Sequence, residues 1–325
     1  MNHFPIKGNL KELAESDAFY KIILYLFYND AKNKADKEWE SFYNSLVFEN
    51  RFSSDSKIIE ELHNKSDMAT YIMPMEKVLY RARVFNDDLM SGFIKEFVFS
   101  KENFSEIKDV PQLDLNASQL LPLIMATDSK AGFAKIKKAY SKWKNKKYKG
   151  YNSKNSGSPP NHLATLGRAN PEYISYLYLC EDEQTPIYEV QPIIGQNVSV
   201  AKFKTRKPLK IYDLTRNFPN HHEDPDYDTP SMFDVIGKNF SVPNYGKPVQ
   251  YLPTQFISEE IKKMGFDGLR FNSSLRQGGI NVVLFDSKSC IAQSSDIVKI
   301  ENIDIKTRRP DVYNLETLNA SILDV

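Results

Sequence analysis

The second half of the chain is written in short runs of strand-forming residues. ISYLYLCE, VSVAKFKT, LKIYDL, DGLRFNSS and INVVLFD follow one another from Gly167 onward, parted by polar stretches such as SLRQGG. Runs of this length, rich in Val, Ile, Leu, Tyr and Phe, form strands. One stretch among them has a different period. In TQFISEEIKKMGF, Phe256, Ile257, Ile261 and Met264 fall on one helical face, and Gly265 is a natural stop. Strands and helix within one unit restrict this half to an α+β fold. TPIYEVQP reads either as a short helix or as a further strand.

The first part has another character. Glycine is absent from Asn9 to Ser91, and Pro74 is the sole proline of that span. KELAESDAFYKIILYLFYNDAK spaces Leu13, Phe19, Ile22, Ile23 and Leu26 near the helical period, with Ser16 or Asp17 as a cap. KEWESFYNSLVFENRF and SKIIEELHNK continue in the same style. The expected organisation is a small all-helical domain over 1–75, an α+β domain over 76–300 and a polar tail over 301–325. KVLYRARVF (77–85) alternates and opens the second domain as a strand. Within that domain, 104–150 reads as a helical, Lys-rich insertion, and YNSKNSGSPPNH (151–162) as a loop.

Composition excludes several classes. At 325 residues, 41% hydrophobic and 26% charged, the chain has the make-up of a soluble globular protein. A net charge of +1 predicts no avid binding to nucleic acid or to a membrane surface. The longest apolar stretch, YKIILYLFY, is too short to span a bilayer, and MNHFPIKGNLKEL lacks a signal-peptide core. Cys180 and Cys290 form no CxxC and lie in apolar runs, as buried thiols of a reducing compartment do. A cytoplasmic protein is expected. Eight lysines between Lys135 and Lys149 are interleaved with Tyr140, Trp143 and Tyr148. That pattern suits a phosphate-binding surface. The rest of the chain does not share the basic bias, so a solvated helix face with Trp143 turned inward is the preferred reading.

No P-loop, dinucleotide fingerprint, HExxH, paired CxxC or GxSxG elbow occurs. His221, His222, Glu223, Asp224, Asp226 and Asp228 cluster in a proline-flanked loop, which reads as a flexible acidic loop; no metal is expected. What stands out is a set of polar residues in apolar, strand-like settings: Arg81 and Arg83 in LYRARVF, Arg168 in GRAN, Tyr178 and Glu189 in YLYLCEDEQTPIYEV, and Ser273 and Ser274 in FNSSLRQGG. Each has a plain structural account, such as a strand-edge salt bridge for Arg81 or a turn for the serine pair.

Together and in order, LYRAR, SPP, GRAN, YLYL, YEV, VSVAKF, LKIYDL, YLPTQFISEEIKKMGFDGLRFNSS and GGINVVLFD resemble the RES-domain family, named for an Arg, a Glu and a Ser. The resemblance runs over about 77–286. The helical leader is similar to the HEPN-like leaders of longer members, without the RxxxxH motif common in HEPN nucleases. The resemblance implies an ADP-ribosyltransferase-like RES domain and an enzyme that splits the nicotinamide–ribose bond of NAD. Compact members are toxins paired with a helix-turn-helix antitoxin, and some use inorganic phosphate as acceptor. Carried over, the arginine is Arg81, with Arg83 its rival. The glutamate is Glu189, and the serine is Ser273 or Ser274. Arg168 and Tyr178 match further binding positions. GRAN stands where many short members have GGRWN, so an aromatic wall is missing there. Gln191 stands where longer relatives carry arginine. A homodimer is the family expectation.

The chemistry fits these residue types. Guanidinium groups bind phosphate in two-pronged fashion, a tyrosine face favours a cationic ring, and a carboxylate offsets the positive charge that develops on the ribose. NAD would be a consumed substrate, and no cofactor is implied. Two other classes remain in view: an ADP-ribosyltransferase acting on a protein or nucleic acid, and a non-catalytic binding module.

Overall fold

The computed structural model describes residues 17–52, 55–86, 134, 137–138, 141–216, 230–242, 248–304 and 307. The acidic loop 221–228 and most of the 104–150 insertion lie outside the described residues.

The leader is helical as expected. Helix α1 (Asp17–Asn44) runs into a π-helical turn (Ser45–Glu49), and α2 (Lys57–Asn64) follows, its N-terminus capped by Ser56 Oγ on Ile59 N. Of the apolar set expected on the first half of α1, only the Leu26 side chain is described, and it is 57% exposed. Ala35, Phe42, Leu46, Ile58 and Leu62 are buried instead. Residues 70–73, inside the span expected to be helical, form strand β1 (Thr70–Met73).

The other strands are β2 (Val78–Phe85), β3 (Leu177–Cys180), β4 (Asn197–Thr205), β5 (Leu209–Asp213), β6 (Gly268–Asn272), β7 (Ile280–Leu284) and β8 (Cys290–Lys299). They form one sheet in the order β1-β5-β6-β7-β3-β2-β4-β8. The β5–β6 pair is parallel, and the other neighbours are antiparallel. A parallel pair needs a crossover, which carries helices α5 (Met232–Phe240) and α6 (Leu252–Lys263). Two short helices precede these in the chain, α3 (Ser153–Ser156) and α4 (Thr185–Glu189). TPIYEVQP is therefore the helix of its two readings. Strand β8 was not foreseen, because CIAQSSDIVK lacks a continuous apolar run.

One connection forces the sheet to curl. Strands β4 and β5 are joined by Arg206, Lys207 and Pro208 alone, yet they stand five positions apart. In a flat sheet that separation would be about 24 Å, while the link reaches at most about 15 Å. The concave face closes on a core drawn from strands: Met73, Leu79, Leu177, Leu179, Phe203, Leu209, Ile211, Val282, Leu284 and Cys290. The alternate residues of β3, β5 and β7, with Leu269 and Phe271 of β6, form a second cluster. Tyr178, Tyr212, Leu269, Phe271 and Val283 pack with Phe42, Leu46, Ile58, Leu62, Phe233, Phe240, Ile257 and Ile261. Leader and crossover helices thus share one hydrophobic cluster on the convex face. Within it the Tyr212 hydroxyl donates to Leu62 O at 2.7 Å. The end of the lysine run lies along β8: Lys149 N bonds Ser295 O at 2.8 Å, and Tyr148 Oη bonds Ala292 O at 2.7 Å. No described helix is long and apolar enough to cross a membrane.

Candidate active site

Strands β2 and β3 share a single registered pair, Tyr80 with Cys180. Where their ladder ends a cleft of about 300 Å³ opens, lined by Arg81, Arg168, Tyr178, Glu189, Tyr251, Phe271 and Asn281, among others. Four of the expected residues therefore meet in one place.

Arg81 comes from the middle of β2. Its Nη1 is sealed from solvent and has no hydrogen-bond partner among the described residues. Burial, with Arg83 alongside, pulls its pKa down to about 10, against a smaller upward pull from Tyr178 and Cys180. The group stays charged at neutral pH, as a half-buried cation with one sealed nitrogen and no counter-ion among the described residues, which is costly unless an anion arrives. Arg83 does not share the cleft. Its Nη2 donates to Gly157 O at 2.6 Å, tying β2 to the loop after α3.

Glu189 ends α4. The helix is fixed at its start by Asp182, whose Oδ1 accepts from Gln184 N and Thr185 N, each at 2.9 Å. Burial would raise the Asp182 carboxyl, but these bonds, the Thr185 hydroxyl and Arg276 hold it below its usual range. Ile187 and Val190 pack on Ala82, Val198 and Val200, which seats α4 on β2 and β4. Gly279 lies beneath the helix; a Cβ there would stand 2.5 Å from Thr185 Oγ1. At the far end, Glu189 Oε1 accepts from Ser273 Oγ at 2.7 Å and from Asn281 Nδ2 at 2.8 Å. Of the serine pair, Ser273 is the one that meets Glu189. Its Oγ also accepts from Leu275 N at 3.1 Å and Arg276 N at 3.2 Å. Neither serine lines the cleft itself, and Ser274 does not bond the glutamate.

Arg168 and Tyr178 reach the cleft with their polar ends already engaged. The Arg168 guanidinium donates through Nη1 to Phe240 O and through Nη2 to Val242 O at 2.9 Å, closing the C-terminal end of α5. It also lies 5.6 Å from the centroid of the Phe271 ring. The Tyr178 hydroxyl donates to Asn170 Oδ1 at 2.6 Å and accepts from Ala169 N at 3.0 Å. Burial pushes its pKa well up, so it remains a neutral donor. Gly167 is obligatory at this close approach: a Cβ would stand 2.4 Å from Asn170 Oδ1 and 2.7 Å from Tyr178 Oη. Helix α6 pins the same loop, with Gln255 Nε2 on Gly167 O at 2.8 Å and Thr254 Oγ1 on Arg168 O at 2.7 Å.

Among the cleft residues not anticipated from the sequence are Asn281, Tyr251 and Phe271. Asn281 carried a signal, being a lone polar residue at the head of a buried apolar run. Tyr251 and Phe271 had none, and they add two aromatic rings to the cleft lining.

A family model described as RES domain matches residues 140–306, just over half of the chain. The match takes in Arg168, Tyr178, Glu189, Ser273 and Ser274, and begins downstream of Arg81 and Arg83. No curated protein matches the chain. Among solved structures, one chain of the "Crystal structure of the M.tuberculosis MbcT-MbcA toxin-antitoxin complex" aligns at 11% sequence identity, over 74% of this chain and 94% of that one, with a TM-score of 0.34.

Proposed function

The chain belongs to the RES-domain family, and from that premise we propose that it is an NAD-consuming enzyme that breaks the nicotinamide–ribose bond, with phosphate or water as acceptor. The observation that carries the proposal is the placement of Arg81 and Glu189 on one cleft: a cation whose sealed Nη1 has no partner, and a carboxylate held on one oxygen only, among the described residues.

In this reading Arg81 binds a phosphate oxygen, from the pyrophosphate of NAD or from an acceptor phosphate. The faces of Tyr178, Tyr251 and Phe271 hold the cationic nicotinamide ring. Glu189 stands by the ribose, where its charge stabilises the oxocarbenium-like transition state more than the ground state. Ser273 holds Glu189. Arg168 serves through position, keeping the wall that carries Phe271 and the end of α5 in place, and its bonded Nη atoms leave phosphate binding to Arg81. NAD enters as a substrate, and no resident cofactor or metal is needed. Loss of NAD would harm the host cell, so a restraining partner, such as a helix-turn-helix antitoxin, belongs to the proposal.

The test is NAD loss by the purified full chain, with and without phosphate, beside Glu189→Ala. Loss that needs phosphate and yields a phosphorylated ADP-ribose identifies phosphorolysis. Loss without phosphate, yielding ADP-ribose, identifies hydrolysis. Either activity should fall at least ~10²-fold in Glu189→Ala, the usual cost of losing a transition-state charge partner. Absence of NAD loss from folded protein under both conditions would overturn the proposal.

A further inference from the structure

The two oxygens of Glu189 are treated differently. Oε1 accepts both hydrogen bonds, from Ser273 Oγ and Asn281 Nδ2, while Oε2 accepts none among the described residues. The Asn281 amide has its own constraint. Its Oδ1 lies 3.2 Å from Cys180 Sγ, a thiol that burial, Glu189 and Asp182 keep protonated. A protonated thiol is a donor, so it requires the amide oxygen on its side and leaves the NH₂ for Glu189. Were the amide reversed, its oxygen would face a carboxylate. Strand register fixes all three partners: Cys180 pairs with Asn281 across β3–β7, and Phe271 pairs with Asn281 across β6–β7. Ser273 directly follows β6, its N bonded to Gly279 O at 2.8 Å.

We propose that Asn281 is a positioning residue: its amide, oriented by the Cys180 thiol, locks Oε1 of Glu189 so that Oε2 is the oxygen presented to the substrate. A carboxylate at the end of a five-residue helix would otherwise rotate about its terminal bonds, and each rotamer would aim a different oxygen at the cleft. Two donors on one oxygen, both set by strand register, remove that freedom before substrate binds, as pre-organisation of a charge stabiliser requires. This rests on the NAD-cleaving reading for its consequence in the reaction, but not for its geometry.

The first readout is therefore independent of activity. In full-length protein labelled with ¹⁵N-asparagine, the side-chain resonance that vanishes in Asn281→Ser belongs to Asn281. It should shift in Glu189→Gln and again in Cys180→Ala. A resonance indifferent to Glu189→Gln would overturn the proposal, whether or not the protein consumes NAD.

The second readout is kinetic. Asn281→Ala should lower kcat for NAD loss by ~10²-fold while KM stays within about threefold, because aim is lost and binding is not. Cys180→Ser keeps a donor for Oδ1 and should stay within about threefold of wild type. Asn281→Asp puts a second carboxylate against Glu189. The titratable groups facing that position are Glu189 on α4 and Cys180 on β3, with Arg81 and Asp182 acting on the thiol. Near neutral pH the two carboxylates repel. On acidification the introduced carboxyl, once protonated, can donate to Oε1 as the amide did, so this variant should recover relative to wild type as pH falls from 7 to 5. Folded Asn281→Ala retaining wild-type kcat, or Asn281→Asp losing activity equally at all pH values, would overturn the positioning role. If wild type consumes no NAD while the resonance shifts as described, the clamp stands and the functional reading fails.

Discussion

Two arginines on the same sheet, three strands apart, live under opposite rules. Arg270 on β6 is enclosed by counter-charge: Nη1 on Glu181 Oε1 at 2.8 Å, Nη2 on Asp213 Oδ2 at 3.0 Å, and Nε 2.9 Å from Asp213 Oδ1, off the line of a good hydrogen bond. Its guanidinium lies 4.1 Å from the centroid of the Tyr71 ring. Burial would depress its pKa, but Asp213 and Glu181 outweigh burial and raise it. Arg81 on β2 has the burial without the carboxylates, and its pKa falls. A protein that needed only a strand stitched in place would resemble Arg270. Leaving Arg81 unpaired costs stability, and that cost makes sense if a ligand supplies the missing anion.

Removing each cation in turn separates the two roles. Arg270→Ala leaves Asp213, which is fully buried, without its main partner. It should destabilise by about 3–5 kcal/mol, lowering Tm by roughly 10 °C in a chain of this size. Arg81→Met should act in the opposite sense. NAD turnover should fall by ~10²–10³-fold in kcat/KM, while Tm rises by about 2–4 °C, since an unpaired buried charge is replaced by an apolar side chain of similar reach. Calorimetry and NAD assays on the two variants decide the matter. If Arg81→Met is as unstable as Arg270→Ala, the two arginines are alike and Arg81 is structural.

A smaller effect separates them by acid. Burial raises the Asp213 carboxyl, but hydrogen bonds from Arg270 and Thr215 hold it below the usual carboxylate range. A depressed folded-state pKa contributes stability that is complete above the unfolded value of about 3.9, and it is lost as pH falls through the folded value. Wild type should therefore lose Tm from pH 5 downward more steeply than Asp213→Asn. Parallel curves would show that the network does little for the fold.

Local pattern carried much of this molecule. The strands β2 to β7, the helix over 252–263 and the buried thiols were legible because hydrophobic period and stop residues are local properties. The convergence of Arg81, Arg168, Tyr178 and Glu189 on one cleft followed from their polar character in apolar settings and from the family resemblance. What was not legible depends on distant partners. LYRAR and DGLRF look alike as strands, and only the neighbours Glu181 and Asp213 distinguish their arginines. Arg168 matched a substrate-binding position in sequence, and only the structure shows its guanidinium bonded to the carbonyls of Phe240 and Val242. Ser273 and Ser274 are equivalent in sequence, and a turn of the backbone selects one. Strand β8 is amphipathic too weakly to announce itself and is defined by its ladder with β4.

Strand β1 has a practical bearing on how the protein can be dissected. It pairs with β5 from Thr70–Tyr212 to Met73–Leu209, so the last residues before the RES-like strands form the border of the sheet. A truncation beginning at Lys77, the natural cut for asking whether the leader restrains the enzyme, strips that border away. It leaves β5 with an open row of backbone donors and acceptors, and self-association along that row would imitate a loss of regulation. A shortened form that keeps Thr70 to Met73 preserves the sheet border but still uncovers the cluster on which Phe42, Leu46, Ile58 and Leu62 pack, so substitutions within the full-length leader ask the question more cleanly than either cut.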